Sequence, residues 1–122
     1  MILRSGIDTI EISRLEEIQP NIRKRFIARV FTSEEIAQAR DRSEVLSGLF
    51  AAKEAVSKAL GTGIGYVNWR DIEILHLRSG QPVVQLHGNA EKVANHLGLE
   101  TWTVSISHDR NKAIAVAVAV GG

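Results

Sequence analysis

The chain has 122 residues, 44% hydrophobic and 24% charged, the proportions of an ordinary folded domain, which excludes a disordered or fibrous chain and leaves room for one core rather than two. With 15 Lys and Arg against 14 Asp and Glu, the formal net charge is +1, so the overall field favours no nucleic acid. The absence of cysteine excludes disulfides, thiolate nucleophiles and cysteine metal sites, suits a reducing cytoplasmic setting, and leaves any metal to oxygen or imidazole ligands.

Residues 2 to 12 of MILRSGIDTIEI are rich in β-branched side chains and predict a first strand, while Arg4, Asp8 and Glu11 interrupt the apolar core that a secretory signal needs. Ser13 and Glu16 have capping-box spacing, which predicts a short helix from Arg14. PNIRKRFIARV, residues 20 to 30, holds Arg23, Lys24, Arg25 and Arg29 with no acid. It reads either as a solvated helix face or as a docking surface for an acidic partner. A second box, Thr32 to Glu35, opens another short helix through about Arg40.

A long helix follows from Ser43 to Leu60, where Leu49, Ala52, Val56, Ala59 and Leu60 recur at helical spacing and set a core-facing stripe. Residues 71 to 77 and 82 to 87, joined by RSGQ, predict a hairpin; Asn89 to His96 predicts a helix stopped by Gly98. TWTVSIS, residues 101 to 107, alternates as a strand with Trp102, Val104 and Ile106 on one face. The last segment, Ala113 to Val120, is the longest apolar run; it falls well short of the roughly 20 residues of a membrane helix and reads as a buried strand. This order predicts a single α+β domain over residues 1 to 122, one long helix packed on a largely antiparallel sheet.

Chemistry concentrates in two places. In FAAKEAVSKALGTGIG, residues 50 to 65, Glu54 and Lys58 fall opposite the apolar stripe, with the small residues Ser47 and Ala51 beside them. They form either a surface ion pair or a site that a ligand approaches closely. Gly61 fits a helix C-cap, whereas Gly63 and Gly65 go beyond one and would let a phosphate meet backbone N–H groups. Asp8, in an apolar strand, needs a partner. With Glu54 it can make the carboxylate pair of a Mg²⁺ site, since Mg²⁺ takes few protein ligands and completes its shell with water and phosphate. His108 reads as a polar turn residue or a site residue, and His76, His87 and His96 as structural.

GIDTIEI at residues 6 to 12, FAAKEAVSKALGTGIG at 50 to 65, GQP at 80 to 82 and SISHD at 105 to 109 together resemble the small 4′-phosphopantetheinyl transferases of the holo-[acyl-carrier-protein] synthase family. The resemblance implies transfer of 4′-phosphopantetheine from coenzyme A to a serine of apo acyl carrier protein, with release of adenosine 3′,5′-bisphosphate, activating the carrier for fatty acid biosynthesis. It implies Mg²⁺ held by Asp8 and Glu54, with Lys58 on the phosphates, these three being catalytic. It further implies coenzyme A contacts from Lys53, Lys58, Gly61, Gly63, Gly65, Pro82 and His108, and carrier docking through Arg14, Arg23, Lys24 and Arg25. A homotrimer with active sites between subunits is implied too, and would explain a long helix with so few charges. Leu49 and Gln81 depart from the pattern, standing where many relatives carry a basic residue, and the resemblance does not assign the base that deprotonates the serine. Two other readings compete: a non-catalytic module binding an acidic protein through the basic patch, and a transferase serving polyketide or peptide carriers.

Overall fold

The structure, a computed structural model, describes residues 1–122. Strand β1 (Ile2–Glu11) leads into four helices, α1 (Ser13–Glu16), α2 (Pro20–Val30), α3 (Ser33–Ala39) and α4 (Ser43–Leu60). A 3-10 turn at Trp69–Asp71 then opens β2 (Ile72–His76) and β3 (Pro82–Leu86), followed by α5 (Gly88–Leu97), β4 (Leu99–His108) and β5 (Lys112–Gly121). The strands pair antiparallel in two sheets, β1-β5-β4 and β2-β3, which gives the α+β class expected.

Helix α4, 18 residues long, lies across the inner face of the three-stranded sheet. Alternation decides what it meets. Strand β5 turns Ala113, Ala115, Ala117 and Ala119 towards the helix, all buried, and Ile114 and Val116 away from it, both exposed. The run of apolar residues is thus buried on one face only, because the small inner residues bring the helix close while nothing in the chain covers the outer side. Contact is tightest at Gly6, where a Cβ would stand 1.9 Å from the Ala55 carbonyl oxygen. Strand and helix therefore touch backbone to backbone, which only glycine permits.

That approach corrects the reading of Ser47 and Ala51. Both are fully buried, so the small residues of α4 accommodate packing within the chain rather than a ligand. The same burial explains the helix's low charge inside one protomer, without a second subunit. The Ser13 capping box does not form either: Ile12 takes the cap position in helical conformation, so Ser13 already lies inside the first turn. The Thr32–Glu35 box does form, with Thr32 Oγ1 accepting from the Glu35 N–H and the Glu35 carboxylate from the Thr32 N–H.

Candidate active site

Strand alternation puts Arg4, Gly6, Asp8 and Ile10 on the inner face of β1, against α4. On the helix, Glu54 and Lys58 stand one turn apart at the rim, facing β1 where the alanines give way to solvent. The Lys58 ammonium lies 3.1 Å from Asp8 Oδ1 and donates to the Ile7 carbonyl at 2.9 Å. The Glu54 carboxyl is raised above its ordinary value, first by partial burial and then by the negative charge of Asp8, with Lys58 acting in the opposite direction. One lysine therefore faces two mutually repelling carboxylates.

No third His, Cys, Asp or Glu joins them in a metal-sized cluster. A pair of carboxylates that repel each other at a solvent-open rim is the donor set that a hard divalent cation with water and phosphate ligands requires, so these residues fit Mg²⁺.

Lys53, one residue before Glu54, points the other way. Lys53 and Glu35 are both 0% exposed, and the ammonium lies 2.8 Å from Glu35 Oε1. It also donates to the Trp69 and Ile72 carbonyls, at 3.1 and 2.5 Å. Burial draws its pKa down, against the pull of Glu35 in the other direction. The coenzyme A contact expected of Lys53 is therefore corrected: the side chain ties α4 to α3 and to the start of β2, out of a ligand's reach.

The glycine tail needs a narrower correction. Gly61 caps α4 in the left-handed region at φ 80°, as expected. The N–H groups of Gly61, Gly63 and Gly65 donate to the carbonyls of Lys58, Ser57 and Val67, so they are not free for a phosphate. What Gly63 and Gly65 offer is open space, since a Cβ at either would meet nothing within 4 Å.

The remaining site residues divide by location. Pro82 opens β3, and His108 ends β4, with its ring Nδ1 3.3 Å from the Asp109 carbonyl. Strand β5 separates β4 from β1, which sets His108 about two strand spacings, roughly 10 Å, from the Asp8 strand. One protomer does not bring Pro82 and His108 to Asp8, Glu54 and Lys58. Of the basic patch, Arg14, Lys24 and Arg25 are exposed, whereas Arg23 is engaged internally. Its guanidinium bonds the Leu15 carbonyl, the Asp41 carboxylate and Ser43 Oγ, pinning α1 and α2 to the start of α4, so Arg23 is corrected from docking residue to brace. Leu49 is buried in the core and Gln81 lies exposed before β3.

Sequence reasoning missed two features. Arg4 was read only as a charge interrupting a signal, although period-two alternation from Asp8 puts it on the same inner face. The group formed by Thr32, Glu35, Lys53, Glu73 and His87 left no local signal beyond the Thr32–Glu35 box, because its members come from four separate segments.

Residues 4–118 match the model of the 4′-phosphopantetheinyl transferase superfamily. The chain belongs to this family. A holo-[acyl-carrier-protein] synthase of Moorella thermoacetica is 49% identical over 122 residues, covering 96% of this chain and 93% of that one. Its counterpart from Natranaerobius thermophilus is 44% identical over 97% of both chains. The crystal structure of Helicobacter pylori holo-[acyl-carrier-protein] synthase in complex with coenzyme A superposes with a TM-score of 0.85 at 34% identity, over 95% of this chain and 99% of that one. The chain is an enzyme of the phosphopantetheinyl transferase class, and the β1–α4 rim is its candidate active site.

Proposed function

We propose that the enzyme transfers 4′-phosphopantetheine from coenzyme A to a serine of apo acyl carrier protein, releasing adenosine 3′,5′-bisphosphate, with Mg²⁺ bound by Asp8 and Glu54. The observation that carries this reading is the meeting of Asp8, Glu54 and Lys58 at one rim, in a chain similar over nearly its whole length to synthases of this name. In the reaction the serine hydroxyl gives up its proton, its oxygen bonds to the phosphorus bearing the pantetheine, the bridging P–O bond breaks, and the departing nucleotide phosphate carries away the bond's electron pair as negative charge. Bound Mg²⁺ would supply Lewis-acid stabilisation of that charge. The Lys58 ammonium, held in place by the Ile7 carbonyl, adds a second positive charge where negative charge grows, which favours the transition state over the ground state. Gly63 and Gly65 leave room for the nucleotide to lie against the chain.

Two further parts belong to the same reading. The outer sheet face exposes Leu3 at 67% and Ile7 at 56% beside Ile114 and Val116, an apolar surface that supports self-association. Because His108 lies across the sheet from Asp8 and Pro82 belongs to the other sheet, a homotrimer whose sites take both groups from different copies reconciles the contacts expected of them. Carrier docking falls to the exposed Arg14, Lys24 and Arg25, of which Arg14 lines a cleft of about 190 Å³ with Leu15, Ile18, Phe26 and Phe50 that opens beside Ile10. Charged rim and apolar cleft together suit an acidic, amphipathic helix. We place the reaction in the cytoplasm.

The test is the mass of an apo acyl carrier protein incubated with enzyme, coenzyme A and Mg²⁺. The proposal predicts a gain of one phosphopantetheine per carrier, abolished by chelation and restored by Mg²⁺. An unchanged carrier mass under saturating conditions contradicts it.

A further inference from the structure

Arg4 is the only basic residue of β1, and only part of its guanidinium is in use. Its Nε donates to the Ala59 carbonyl at 2.6 Å, closing one of the acceptors left open at the end of α4. Nη2 extends under the glycine turn, 2.5 Å from where a Cβ on Gly61 would stand. Neither terminal nitrogen has an acceptor in the chain, and no carboxylate pairs with Arg4. The other cation of the β1–α4 seam is occupied, Lys58 by Asp8 and the Ile7 carbonyl. A half-buried cation with free donors beside a glycine that has no side chain to cover them has an anion-binding arrangement.

Position identifies the anion, given the coenzyme A reading above. Along α4, Gly61 lies three residues beyond Lys58, about 4.5 Å of axial rise. The cations of the seam therefore run in order, Lys58 beside the carboxylates and Arg4 at the glycine turn. Coenzyme A carries its anions in matching order on one ribose, a diphosphate on the 5′ carbon and a phosphomonoester on the 3′ carbon. We propose that Arg4 is a specificity-determining residue that binds the 3′-phosphate and sets the preference for coenzyme A over its 3′-dephospho form. A site built to bond a polar group rejects the analogue lacking it, because its buried donors are then left unpaired.

The experiment compares kcat/KM for coenzyme A and 3′-dephospho-coenzyme A in the wild type, Arg4→Gln and Arg4→Lys, alongside calorimetric binding of adenosine 3′,5′-bisphosphate and adenosine 5′-monophosphate. The wild type should favour the 3′-phosphorylated member of each pair by about tenfold or more. Arg4→Gln should lose most of that preference through the phosphorylated ligand alone, and Arg4→Lys should keep part of it. An equal loss on both members of each pair would mean that Arg4 only braces the end of α4, and would overturn the proposal, as would a wild type without preference. The two assays separate this inference from the reading beneath it. Calorimetric preference lost in Arg4→Gln without any transfer by the wild type upholds the Arg4 site and contradicts the transfer reaction; transfer with a preference indifferent to Arg4 does the reverse.

Discussion

Replacing Lys53 by Met removes an ammonium but keeps most of the stem volume, so the change isolates the buried charge. Glu35, fully buried, would keep the N–H groups of Thr32 and Ile74 at 2.9 and 2.8 Å but lose its counter-charge at 2.8 Å. Breaking a buried pair from one side costs about 3–5 kcal/mol, and the Trp69 and Ile72 carbonyls each lose a donor as well. Against a total stability of about 5–15 kcal/mol, the variant should be folded but marginal. Adding Glu35→Gln removes the stranded charge, and the double variant should regain at least about 1 kcal/mol over Lys53→Met. Urea unfolding of the wild type, both single variants and the double variant gives the coupling, and steady-state kinetics below the unfolding transition gives the KM for coenzyme A. Stability within about 0.5 kcal/mol of wild type, together with a raised KM for coenzyme A, would refute the structural role and return Lys53 to the ligand.

Gly6→Ala should lower stability by about 1–3 kcal/mol or more and reduce transfer in the molecules that remain folded, since a Cβ 1.9 Å from the Ala55 oxygen forces β1, and Asp8 with it, away from α4; an unchanged urea midpoint would contradict the backbone contact. The Glu73 carboxyl sits below its ordinary value of 4.5 because, although burial pushes it up, hydrogen bonds from Thr32 and His87 outweigh that. Its contribution to stability is therefore present above about pH 4.5 and lost as pH falls through the lower folded value, and Glu73→Gln should flatten that part of the stability–pH curve; parallel curves would show that the carboxylate contributes nothing. Arg14→Glu should raise the KM for the carrier strongly and that for coenzyme A little, an effect that shrinks as the Debye length falls from about 10 Å at 0.1 M salt to about 3 Å at 1 M; equal effects on both substrates would move the docking surface elsewhere.

What could be read from the sequence was what is periodic or local. Helix α4 and strands β4 and β5 announced themselves by spacing, the Thr32 cap by its box, and Gly61 by its place after the last helical turn. The residues alone offered Asp8 with Glu54 as one possible Mg²⁺ pair and Glu54 with Lys58 as either an ion pair or a site, and only the resemblance joined the three as one catalytic group, because nothing in the spacing says which rim of α4 faces which strand. Lys53 misled for a physical reason. Neighbours on a helix differ by about 100° in direction, so the residue beside an outward Glu54 turns into the core, where its partner Glu35 arrives from a different helix. Arg23 misled in the same way, since its acidic partner Asp41 comes from beyond the next helix. The exposed outer face of β5 was hidden because an alternation of alanine with larger aliphatic residues carries no polar signal for its outer side.

The most direct test of the account is the single-turnover transfer rate from coenzyme A to apo carrier at saturating Mg²⁺ for Asp8→Asn and Glu54→Gln, each near-isosteric and outside the buried core. Losing one ligand of a metal that stabilises the departing phosphate should cost several kcal/mol, at least about two powers of ten in rate, with the urea midpoint little changed. A near wild-type rate in either variant would contradict the assignment of the β1–α4 rim as the place where transfer occurs.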